Sequence, residues 1–187
     1  SLPAPCWAAA PTVVAVVPAS GVSAPGQWVT FTTTTADADG WTNLQDVRFL
    51  TNTIVSPTNT VYLRYIRSTH KLYLLNDAGT TWGGGVAPGA NTVLENSQGR
   101  LDCALTTVTG SGTTLTVKWR MNFKAAYAGK TYKTYLWAKD SAPSIGWIQK
   151  GSWAVDGTPP PTPVVTDDGT TTADHTQLHA SWFSSDP

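Results

Sequence analysis

The side chains of this 187-residue chain that could do chemistry are few: three His, one Glu, eleven Asp and two Cys. Serine hydrolase chemistry needs a Ser, a His and a carboxylate converging in a pocket. His70 lies in a polar hairpin connection, His175 and His179 lie near the end, and none accompanies a G-x-S-x-G elbow. On a strand, the four-residue spacing of His175 and His179 puts them on one face about 13 Å apart, too far to share a zinc ion. Retaining glycoside hydrolysis needs two acids at close range. Glu95, the single Glu, stands in the loop-like stretch NTVLENSQG. No catalytic set emerges, and the chain is expected not to be an enzyme.

Three other groups suggest binding or bracing. Asp37, Asp39 and Asp46, with Asn43 nearby, are the only carboxylate cluster suited to a hard cation, since D-x-D-G supplies two carboxylates before a Gly turn. The other reading of the same residues is an Asp-rich turn whose carboxylates cap backbone N–H groups. Nine Trp are present, and flat rings stack on sugars. Trp41, Trp82 and Trp147, each beside a turn or loop, are the candidates for glycan stacking. Trp28, Trp119, Trp137 and Trp153 fall within strands, where burial between sheets is the ordinary use. Cys6 and Cys103 form an even pair that reads as one disulfide, with free thiols or an intermolecular bridge from Cys6 as the alternatives. Closing so long a loop would stabilise by about 4–5 kcal/mol in the chain-entropy account.

The elements that must position these residues are strands. Only 13% of residues are charged, and about thirty Thr with many Val, Tyr and Trp suit a pleated, half-buried surface. Zero net charge argues against a nucleic-acid footprint. No window approaches eighteen uninterrupted apolar residues, so no membrane insertion is expected. Low charge and paired Cys point to a secreted or cell-surface protein. Ser1 is followed by Leu2-Pro3-Ala4-Pro5 with no basic and apolar leader run, so an export signal would have been removed or would lie upstream.

Alternation and turn residues predict strands at 12–17, 27–36, 44–51, 61–66, 72–75, 100–108, 113–123, 130–139 and 146–155. Residues 76–91 read as a Gly-rich loop. About nine strands at this spacing predict two packed antiparallel sheets over 12–155, preceded by an extended arm at 1–11. Residues 156–163, with three consecutive prolines, read as a semi-rigid linker. In the strand-like tail, 164–187, Leu178, Ala180 and Trp182 alternate with Gln177, His179 and Ser181.

Tyr73-Leu-Leu-Asn-Asp-Ala-Gly79 with Trp82, Gly112-Thr-Thr-Leu-Thr-Val117, Phe123-Lys-Ala-Ala-Tyr-Ala-Gly129, Tyr135-Leu-Trp-Ala-Lys-Asp140 and Gly146-Trp-Ile-Gln-Lys-Gly-Ser-Trp153 form an ordered series. The series resembles the Ig-like modules of large bacterial extracellular proteins. The tail, with Asp167-Asp-Gly169 and Gln177-Leu-His-Ala-Ser-Trp182, resembles the start of a fibronectin type III-like module. The resemblance implies a repeated β-sandwich building block with no catalytic residues. In the module it resembles, a Cys stands at the position of Val61 and pairs with the one matching Cys103; here Cys6 is the remaining candidate partner.

Two functional expectations follow. One is a non-enzymatic structural or interaction module of an extracellular assembly, polymerising head-to-tail when the strand around Leu178, Ala180 and Trp182, or the arm, adds to a neighbour's sheet edge. In the alternative to donation, the tail is only the start of a truncated module. The second expectation, from a different class, is a carbohydrate-binding module using exposed Trp. No cofactor is expected, calcium at Asp37, Asp39 and Asp46 excepted.

Overall fold

Period-two alternation of apolar with hydroxylated or charged residues becomes a sequence of strands in the computed structural model, which describes residues 9–141 and 144–158. In chain order these are β1 (Thr12–Val17), β2 (Ser20–Ser23), β3 (Trp28–Ala36), β4 (Asp46–Asn52), β5 (Val61–Ile66), β6 (Lys71–Leu75) and β7 (Trp82–Val86). They continue as β8 (Val93–Glu95), β9 (Gly99–Asp102), β10 (Thr107–Ser111), β11 (Thr114–Phe123), β12 (Lys130–Lys139) and β13 (Ile145–Val155). One sheet runs β1-β3-β11-β9-β8, with β10 also on β11; the other runs β2-β13-β12-β4-β5-β6-β7. All pairings are antiparallel except β2 with β13. The compact unit ends at Gly157, and a second unit runs from Thr158 to Pro187.

The two sheets form a β-sandwich. β3 turns Phe31, Thr33 and Thr35 inward, and β11 turns Leu115, Val117, Trp119 and Met121 inward. From the other sheet come Val47 and Phe49, Leu63 and Tyr65, Leu72 and Leu74, Leu136 and Trp153. Phe31 meets rings of the opposing sheet, Phe49 at 5.4 Å and Trp153 at 4.9 Å between centroids. Two buried indoles have hydroxyl partners: Trp119 Nε1 donates to Thr33 Oγ1 at 2.9 Å, and Trp153 Nε1 to Ser23 Oγ at 3.0 Å. This satisfaction is what lets Trp enter a core.

Four differences from the expected strands have local causes. The predicted strand 100–108 divides into β9 and β10, because Asp102 Oδ1 accepts the N–H groups of Ala104 and Leu105 and turns the chain. The stretch around Glu95 is β8 rather than a loop, paired to β9. The Gly-rich loop contains β7, paired to β6. Ser20–Ser23, between two of the expected strands, is a strand of its own and pairs in parallel with β13. Thr12–Val17 is a strand of its own sandwich, as expected, paired to β3. Residues 1–8 and 159–187, including Cys6, the Pro-rich linker from Pro159 on, and Leu178, Ala180 and Trp182, lie outside the described residues.

Candidate binding face on the outer side of the second sheet

In β4, the alternation that buries Val47, Phe49 and Thr51 leaves Asp46, Arg48 and Leu50 on the opposite face of the sheet. In β5 the same rule sends Val61, Leu63 and Tyr65 inward and Tyr62 and Arg64 outward. Register then aligns these outer residues in rows. Tyr135 lies opposite Leu50, and Leu50 opposite Tyr62; one row over, Trp137 lies opposite Arg48, Arg48 opposite Arg64, and Arg64 opposite Tyr73. The third row sets Lys139 against Asp46.

Two bulges complete the face. Trp82 and Val86 are four residues apart, a spacing that puts both on one side of a regular strand. The extra residue Gly85, at φ 74°, interrupts the pairing of β7 with β6. Val86 therefore packs on the main core while Trp82 packs on the outer cluster. Gly84 at φ 112° and Gly85 take backbone conformations that L side chains rarely adopt, so the Gly run is what permits this. Trp147 and Trp153 are six apart, again an even spacing. The extra residue Lys150, between the pairs Thr134–Gly151 and Tyr135–Gln149, changes the parity, so Trp153 is in the core and Trp147 outside.

The result is a second, smaller cluster of Leu50, Tyr62, Leu75 and Tyr135, with Trp82 and Trp147 half-buried against it. Both indoles stand edge-on to Tyr62, at 4.8 and 5.2 Å between centroids. Arg48 lies over Trp137 at 4.0 Å, and Arg64 over Trp82 at 5.3 Å. Two like charges directly opposite across strands would repel. Asp46 reconciles them: it accepts from Arg48 Nη2 at 2.7 Å and from Arg64 Nη2 at 2.8 Å. Arg48 Nη1 donates to Tyr62 Oη at 3.0 Å. Burial works against the Arg48 charge, yet hydrogen bonding and attraction to Asp46 outweigh it and hold its pKa above the ordinary value. Burial pushes the Tyr62 phenol up, so it stays a neutral donor and acceptor. One carboxylate between two guanidinium groups leaves this set one positive charge in excess.

The residues expected to act separate differently. Trp82 and Trp147 come together around Tyr62, whereas Trp41 lies against Gly110 and packs on the main core. Trp137 and Trp28, both expected between the sheets, are on outer faces, Trp137 under Arg48 and Trp28 beside Arg120. Asp37, Asp39 and Asp46 do not converge. Asp37 accepts the Asp39 N–H and the Asn43 amide, Asp39 accepts the Ala9 N–H, and Asp46 is taken up by the arginines. Among the described residues no three His, Cys, Asp or Glu side chains are grouped to hold a metal. The first two Asp thus do the work of the turn reading. Cys103 is a fully buried free thiol, pushed up to about 11 by burial and then by Asp102; its expected partner Cys6 is outside the described residues. His70 is exposed, its Nδ1 2.8 Å from Tyr65 Oη.

Arg48, Arg64 and Trp137 were not candidates on sequence grounds. The signal for the two arginines is D-x-R-x-L in one strand and Y-x-R in the next, charges at alternate positions of otherwise apolar strands; for Trp137 it is the shared parity with Tyr135 and Lys139. No known family pattern and no curated protein matches the chain. The geometry therefore carries the functional argument.

Proposed function

We propose that this chain is a non-enzymatic interaction module of an extracellular assembly, an Ig-like sandwich whose contact surface is the outer face of the β2–β7 sheet. One observation carries the reading: the sandwich already has a complete core, and a second aromatic cluster is placed outside it, on the exterior of a sheet. Rings and arginines in such a patch are the residue types enriched where proteins make contacts. The low charge and Thr-rich composition support an exported setting. Carbohydrate recognition is the form of binding favoured by the meeting of Trp82 and Trp147 on Tyr62.

The test is a titration of the purified chain with soluble polysaccharides followed by Trp fluorescence, with light scattering for self-association. A Trp82→Ala/Trp147→Ala variant that stays folded and loses either interaction supports the reading. A wild-type chain showing neither interaction, or a variant losing neither, overturns it. Strand donation around Leu178, Ala180 and Trp182 has its own arm. Oligomers that vanish on deleting residues 160–187 support it, and monomers with and without that segment oppose it.

A further inference from the structure

The nature of the ligand can be taken further, on the footing of the binding face just proposed. Beside the aromatic cluster, the ends of β4, β5 and β12 border a cleft of about 280 Å³ whose walls include Arg64, Arg67, Lys139, Asp46 and Ser68. Asp46 is the single carboxylate in that lining, and its oxygens already accept from Arg48 and Arg64. Arg67 Nε donates to the Leu44 carbonyl at 2.9 Å, which orients the guanidinium without neutralising it. Lys139 makes no ion pair among the described residues. The wider balance runs the same way: residues 1–158 hold all twelve Lys and Arg against eight acids, and the other four Asp lie beyond them. The chain's zero net charge thus conceals a cationic sandwich.

Arg64 joins the two features. Its guanidinium stands 5.3 Å from the Trp82 ring centre and also lines the cleft. Trp82 and Trp147 both contact Tyr62, so their ring centres are no more than about 10 Å apart, within reach of one short oligosaccharide. We infer that this face binds an acidic glycan: sugar rings lie on Trp82 and Trp147, and a carboxylate or sulfate group enters the cleft at Arg64, Arg67 and Lys139. Guanidinium forks match both oxyanions, and Ser68 offers a neutral hydrogen-bond partner to a hydroxyl. A single-stranded nucleic acid also combines stacking with charge, but a phosphate at every residue calls for cations tracking the whole path. Here the cations not already shared with Asp46, namely Arg67 and Lys139, stand at the strand ends that border the cleft, which suits a ligand with spaced charges.

The experiment titrates the full chain with polygalacturonate (carboxylate), dextran sulfate (sulfate), dextran (neutral) and an oligo-dT strand, using calorimetry and Trp fluorescence. The expected result is binding of one or both acidic polymers at least tenfold tighter than dextran. Trp147→Ala should then weaken it by tenfold or more. Lys139→Gln, an exposed end-of-strand change that leaves the fold intact, should weaken it about threefold and flatten its salt dependence. The two acidic arms tell which oxyanion the cleft takes. Dextran bound as tightly as the acidic polymers, with Lys139→Gln silent and Trp147→Ala still damaging, overturns the acidic class and leaves the binding face standing. Oligo-dT bound more tightly than any polysaccharide overturns the glycan in favour of nucleic acid. No polymer bound, or binding unmoved by Trp147→Ala, overturns the inference; self-association that the Trp82→Ala/Trp147→Ala variant abolishes would then preserve the proposed function by itself.

Discussion

The two outer faces of this sandwich obey the same alternation and end up with opposite chemistry. On the β1–β8 sheet, Thr30, Thr32 and Thr34 of β3 lie opposite Arg120, Lys118 and Thr116 of β11, and Thr109 of β10 lies opposite Thr116. That surface is mainly hydroxyls and separated cations, with one ring, Trp28, beside Arg120 at 5.9 Å at its end and no cluster of rings to offer a partner. On the β2–β7 sheet the corresponding positions hold Tyr62, Trp82, Tyr135, Trp137 and Trp147 around an Arg–Asp–Arg bridge. Solubility and sheet formation are satisfied by the first pattern alone. The second asks for two Gly-dependent or bulge-dependent changes of parity and a like-charge pair held by one carboxylate, which is why we place function there.

Substituting the same residue type in two layers gives the sharpest contrast. Trp119→Ala removes a fully buried ring and its bond to Thr33 and should cost about 3–5 kcal/mol in urea unfolding. Trp147→Ala removes a half-buried ring and one edge-to-face contact and should cost about 1 kcal/mol. Equal losses would mean that the outer cluster is a second core and not a contact face.

Asp46→Asn leaves Arg48 and Arg64 opposed without their shared counter-charge. A loss of about 2–3 kcal/mol is expected, partly restored by raised salt, which screens the arginines. The same variant should leave the β1–β8 face unchanged in amide exchange.

Alkaline pH attacks the inner layer. Cys103 is raised to about 11 from an ordinary 9.0 by burial and by Asp102, and Tyr132 to about 12 from 10.0 by burial and by Tyr127. The folded state holds each proton longer than the unfolded chain, so stability is whole below about pH 9 and falls as pH rises toward 11 and 12. The slope should be at most about 1.4 kcal/mol per pH unit for each group. Denaturant midpoints taken across that range measure it. A Cys103→Ala variant should lose the first part of the slope.

Gly85→Ala is expected to cost about 1 kcal/mol, since its φ of 74° suits Gly, and to shift Trp82 fluorescence by disturbing the bulge that turns that ring outward. On the other face, Thr32→Val should change stability by less than about 0.5 kcal/mol and leave any glycan binding intact. A binding loss there would remove the distinction between the two faces.

Much of the fold was legible because alternation is a local property. β1, β5 and β12 stand where the pattern puts them, residue for residue, and the long strands β3, β11 and β13 begin within a residue of expectation. Short strands were missed where Gly or a polar run hides the period, as in β7 and β8. The candidate face was half legible. Trp82 and Trp147 were singled out by position, but Trp41, in a 3-10 turn, packs on the core, and Trp137 faces outward by alternation with the buried Leu136 and Ala138, since which side of a strand is the core is decided by its partners.

The amino-acid sequence by itself determined an all-β chain with an apolar side to each long strand, since side-chain direction alternates with every residue and needs no partner to do so. Only the tertiary structure decided which residues share a surface. Arg48, Arg64 and Asp46 meet through antiparallel register, Trp82 and Trp147 through one extra residue in each of two strands, and Arg67 and Lys139 through strand ends brought together from distant parts of the chain. Register and bulges are set by what the strands bury against one another, and that is a property of the folded sandwich rather than of any segment of it.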